Sequence, residues 1–191
     1  EVIGVGLTNE FNAPPTVVAD GARHSLATTN SSSQGWMTEF TNTTSLPVGH
    51  GLHRTNLTND FACYTFEPKP NLPLKVLVLD DTAKGNIPAA GPFFYASGSI
   101  DWQRYTWLTN ELQKGQDADQ LMILAAHAPI NPQKDLTDTN LAPQFNTATN
   151  PATGTPLSCQ SDAQLIATLH NYPNLILLVA GHRHKNTVTP Q

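Results

Sequence analysis

Residues 74–82 read LKVLVLDDT. Aliphatic side chains occupy both alternating sets of positions in this short run, as in a central strand covered on both faces. Asp80 and Asp81 end it. Two runs of the same kind follow, LMILAAHAPI at 121–130 and LILLVAG at 175–181. The first ends near His127, where Pro129 blocks continuation; the second stops at Gly181.

The stretches between these runs carry helical periodicity. GSIDWQRYTWLTNELQKG (98–115) predicts a helix with Tyr105, Leu108 and Leu112 on one face. Ser99 suits its N-cap, Asp101 its positive N-terminal dipole and Gly115 its C-terminal cap. SDAQLIATLHNYPN (161–174) predicts a second helix. Ser161 and Gln164 form a capping box, Leu165, Ile166 and Leu169 an apolar stripe, and Pro173 closes it. Residues 131–160 contain no convincing element, and a loop of that length in a compact domain is usually a lid or an insertion.

The ordered part therefore reads strand, helix, strand, loop, helix, strand, an α/β pattern for which parallel pairing through right-handed crossovers is the default. In open α/β sheets, ligands sit beyond the carboxyl ends of the strands. Asp80 and Asp81, His127, and His182 with His184 each follow such an end. If the strands are parallel, all of them gather on one edge.

The 191 residues suit one domain. Residues 1–72 show little periodicity and read as a loop-rich wrapping segment, while 73–191 carry the ordered pattern. The net charge is −5, without a lysine or arginine cluster, so the basic stripe of a nucleic-acid binder is missing. No apolar run approaches the ~20 residues that span a bilayer. A Lys-poor, Asn/Thr-rich composition fits an exported or periplasmic protein but does not decide the compartment. Cys63 and Cys159 could pair in an oxidising compartment or remain thiols. Asn30, Asn42 and Asn56 open triplets of the glycosylation pattern, which arise by chance in such a chain.

Neutral imidazole is the commonest nitrogen ligand for first-row metals. In an extended segment, positions i and i+2 point the same way, so His182 and His184 can face one centre or two adjacent ones. His127 would arrive from the neighbouring strand. Against this stands the plainer reading of loop histidines, since H-x-H alone is a weak signal. Asp80 and Asp81 read as a strand-ending turn rather than an acid/base pair. His24 reads as solvated, His170 as a residue of the last helical turn, and His50 and His53 in PVGHGLH as loop residues.

VLVLDDT, GSIDWQRYTWLTNEL, LMILAAHAPI and LLVAGHRHKN together resemble, in order and spacing, the C-terminal half of calcineurin-like metallophosphoesterases. His127 matches that family's lone histidine after a strand. Gly181, His182 and His184 match G-H-x-H, and Gln103 and Trp107-Leu108 match the intervening helix. The resemblance covers about residues 74–188. It implies a mixed αββα sandwich and two divalent transition-metal ions (Mn, Fe or Zn), with a phosphate ester as substrate. It also implies that His127 and His182 share one metal while His184 ligates the other.

The family's early motifs, D-x-H, G-D-x-x-D and G-N-H-D or -E, do not occur in these residues. The resemblance thus implies an interior or C-terminal fragment of a larger hydrolase. The carboxylate-bearing half would lie in another segment or chain, and the fragment alone would bind metal weakly and be a poor phosphatase. The alternative is a non-catalytic α/β binding or scaffold domain that keeps the fold without the carboxylates. A structural zinc domain using the three histidines is a weaker third reading.

Overall fold

The computed structural model describes residues 46–82, 98–130 and 158–182, together with residues 37, 38, 40, 41, 43, 44, 145, 147, 149, 154 and 156. It is an α/β structure built on a mixed four-stranded sheet. The strands are β1 (Tyr64–Phe66), β2 (Leu74–Leu79), β3 (Leu121–Ala126) and β4 (Leu175–Ala180), lying side by side in chain order. The pairs β2–β3 and β3–β4 are parallel and β1–β2 is antiparallel. Helix α1 (Arg54–Thr58) precedes β1, α2 (Trp102–Asp117) connects β2 to β3, and α3 (Asp162–Leu169) precedes β4. The three apolar runs are the three parallel strands, as their composition predicts. Strand β1 is an addition within the segment expected to be loop.

Successive right-handed crossovers that extend a sheet in one direction place their helices on one face. Leu108 and Leu112 of α2 and Leu165, Ile166 and Leu169 of α3 accordingly join one core with Leu77, Leu79, Met122 and Leu124 of the sheet. The register aligns Leu77 with Leu124, so these side chains share a face. At roughly 1.5–3 kcal/mol for each fully buried aliphatic side chain, this cluster is the main source of cohesion. Among the described residues, no crossover helix covers the opposite face. There Leu177 and Val179 of β4 stay about half exposed, at 49% and 48%.

The helix boundaries differ instructively from the sequence reading. Asp101, not Ser99, is the N-cap of α2, and its carboxylate accepts the Arg104 N–H at 2.8 Å. An acidic side chain does better there because it also meets the helix dipole. Gly115 lies inside the helix, which runs on to Asp117 with Ala118 as C-cap. Its missing Cβ makes room for Met122, whose sulfur would lie only 2.4 Å from a methyl there. In α3 the Ser161–Gln164 capping box forms as expected, and His170 is the C-cap.

Cys63 is buried, Cys159 is partly exposed, and both are free thiols. Asn56 is a local cross-link. Its amide donates to the carbonyls of Phe61 and Cys63 at 2.8 and 2.9 Å, and its Oδ1 accepts the His53 N–H at 2.8 Å. His50 lies edge-on to Phe40. Asn30, Asn42, His24 and His184 fall outside the described residues, as does most of the 131–160 segment.

Candidate metal centre

Strands β3 and β4 run parallel and end level, with Ala126 paired to Ala180. The residues that follow them, His127 and Gly181-His182, therefore leave the sheet at the same edge. The Gly181 N–H donates to the His127 carbonyl at 3.1 Å, which carries the pairing one step past the strands. His182 then takes a left-handed backbone, with φ of 66°. That conformation costs a residue bearing a Cβ roughly 1–2 kcal/mol. It brings the two rings together, with centroids 5.0 Å apart and planes at 69°. His127 Nε2 and His182 Nδ1 are 3.1 Å apart.

Two nitrogens at about 2.0–2.1 Å from one zinc ion are about 3.3 Å apart in tetrahedral geometry and about 3 Å apart at a right angle. The observed separation fits that requirement. It also fits a direct N–H···N bond between neutral imidazoles, so the pair is compatible with metal-free and metal-holding states. His127 is exposed and His182 half-buried, which leaves the nitrogens accessible from outside. Among the described residues, no group of three histidine, cysteine or acidic side chains is arranged to hold a metal ion. His184, the third expected ligand, lies outside them.

Both aspartates at the end of β2 hold local hydrogen bonds. Asp80 Oδ1 accepts from the Thr82 N–H and hydroxyl at 3.1 and 2.5 Å, an Asx turn of the kind that ends a strand. Asp81 does more than the sequence reading gave it. It is 1% exposed, and its two oxygens accept the N–H groups of His127 at 3.2 Å and Ala128 at 2.7 Å. Burial pushes its carboxyl up to about 6, against the pull of the Ala128 and His127 N–H groups.

The turn carrying these aspartates is tied down by Arg104, also 1% exposed. One guanidinium nitrogen donates to the carbonyls of Asp80 and Thr82, both at 2.7 Å, and Nε donates to Asp101 at 3.0 Å. Composition hid both residues, because burial cannot be read from one charged letter. The available signals were an Asp pair at the mouth of an apolar strand and an arginine three residues after a helix cap.

One described residue of the long segment returns to this edge. Phe145 is 3% exposed, and its N–H donates to the buried Asp162 carboxylate at 2.7 Å. Its ring stands against Gly98, whose other close neighbour is the Ala128 methyl, next in sequence to His127. Phe145 is thus fixed between Gly98 and Asp162, close to Ala128.

The sequence matches no protein-family model and no curated protein.

Proposed function

We propose that this chain carries the histidine side of a metal-dependent phosphoric ester hydrolase of the metallophosphoesterase kind. The observation that supports this most is the meeting of His127 Nε2 and His182 Nδ1 at 3.1 Å beyond the carboxyl ends of adjacent parallel strands. That is where an α/β sheet presents its ligand site, and the spacing suits two ligands of one ion. His127 and His182 would hold that ion, and His184 would serve a second. Bound divalent ions would supply Lewis acidity to the phosphoryl oxygens and to the attacking water. The chain's own part is to fix the imidazoles before the ions arrive, which limits the reorganisation that binding requires.

A second reading is a scaffold or binding domain with the same fold and no hydrolytic role. It is favoured by one observation: the Asp80 carboxylate accepts from Thr82 and the Asp81 carboxylate accepts the backbone N–H groups of His127 and Ala128, so both are engaged within the fold. Two divalent ions held only by neutral imidazoles would lack the negative charge that normally offsets them, so the hydrolase reading requires carboxylates from another segment or chain.

The test is turnover of an aryl phosphate with added manganese and with chelator, by the 191-residue chain and by the product of its full reading frame. The hydrolase reading expects chelator-sensitive turnover by the latter, lost in His182→Ala, and little by the former. A full product inert with manganese, zinc and iron would favour the scaffold. Equal, chelator-insensitive turnover by both would place any chemistry elsewhere.

A further inference from the structure

We infer that Asp81 is the positioning residue of the His127–His182 pair: its buried carboxylate sets the backbone of His127 so that Nε2 faces His182.

Strand β2 makes its last pairing to β3 at Leu79↔Ala126. Beyond that point the N–H groups of His127 and Ala128 cannot be met by the β2 backbone. The Asp81 carboxylate takes the place of the missing strand, one oxygen to each N–H, at 3.2 and 2.7 Å. On the other side, the His127 carbonyl is held by the Gly181 N–H at 3.1 Å. His127 is thus gripped through its backbone from both neighbouring strands, and the second grip leads directly into His182.

Asp81 is itself fixed. Its carbonyl accepts the Ser99 N–H at 2.8 Å, and the carbonyls on either side of it, of Asp80 and Thr82, are held by Arg104. Among the described residues no lysine or arginine pairs with its carboxylate. A buried carboxylate without a lysine or arginine partner is an expensive way to end a strand. Two backbone bonds to the residues that launch the histidine explain its presence where a turn alone does not. Outer partners that bond the ring of a metal-binding histidine typically contribute about 10–100-fold to metal affinity; Asp81 acts one step further back, through the backbone that carries the ring.

The inference takes the pair as the functional site but does not require hydrolysis, so the two can fail separately. The test uses the whole chain, wild type, Asp81→Asn and Asp81→Ala, without metal and then with zinc alone. Ring-to-ring nuclear Overhauser contacts between His127 and His182 report positioning, and the methyl signals of Leu112 and Leu124 report the core. In Asp81→Ala the ring contact should vanish with the core signals in place, and zinc affinity should fall about 10-fold or more. Asp81→Asn keeps one acceptor oxygen but turns an N–H donor toward the other site, so it should recover the contact only in part. A full-strength ring contact in Asp81→Ala with an intact core overturns the inference, whatever zinc does. If Asp81→Ala does not fold, Asp81→Asn decides. Faster exchange of the His127 or Ala128 amide with an undiminished ring contact overturns it, and faster exchange with a weakened contact supports it.

Discussion

Replacing Gly98 by alanine tests whether Phe145 packs at the edge that carries Ala128 and His127. A Cβ at Gly98 would lie 2.7 Å from two ring carbons of Phe145 and 3.0 Å from the Ala128 methyl. Carbon atoms pack comfortably at about 3.5–4.0 Å, so the ring would have to retreat by about 1 Å. It has little freedom to do so: Phe145 is 3% exposed and its N–H is tied to Asp162 at 2.7 Å. Ala128 is held in turn by the Asp81 carboxylate. Overpacking against two fixed neighbours should cost about 1–3 kcal/mol. Phe145→Ala alone should cost about 3–5 kcal/mol by emptying the ring's place. In the double variant the new methyl can shift into that space, the clash with the ring disappears and only the approach to the Ala128 methyl remains, so the total should fall short of the sum by about 1–2 kcal/mol. Urea denaturation of the four proteins, followed by tryptophan fluorescence at one pH, measures this coupling. Losses that add within about 0.5 kcal/mol would mean that Phe145 does not pack on Gly98, and the placement of Phe145 at this edge would fall with it.

The Asp81 carboxyl titrates near 6 in the folded protein and near 3.8 when unfolded. The folded state therefore holds this proton over a window in which the unfolded state has lost it, so stability should fall as pH rises from about 4 to 6. The loss should be about 3 kcal/mol relative to Asp81→Asn; parallel pH profiles of the two metal-free proteins in urea would refute it. His182→Gly relieves a left-handed residue and should hold or raise the melting temperature while abolishing zinc binding; a clear drop in melting temperature would show that the ring supports the fold. Arg104→Met strands the Asp80 and Thr82 carbonyls and should cost about 3–5 kcal/mol in urea. Arg104→Lys should recover only part, because an ammonium lacks the planar fork.

Much of the fold was legible because its signals are local. Three aliphatic runs and two capped, stripe-bearing helices each carry their own periodicity, and right-handed crossovers then place the strands in parallel. That polarity alone sends the residues after Ala126 and Ala180 to one edge, so the proximity of His127 and His182 followed from order along the chain, while the contact of their rings needed the left-handed backbone of His182. Strand β1 was not legible: Tyr64–Phe66 is too short to show a period, and it becomes a strand by pairing with an edge β2 already offers. Both Ser99 and Asp101 are good caps in isolation; the cap of α2 is Asp101, which stands immediately before the first helical residue with its carboxylate on the Arg104 N–H. Asp81 itself marks the limit. In the sequence it is the second of two aspartates closing a strand, and a turn accounts for it. Only the packed structure, in which β2 ends one step before β3 releases its histidine, gives that carboxylate two N–H groups and almost no exposure. Burial and long-range hydrogen bonding are properties of the assembled chain, and no single residue type encodes them.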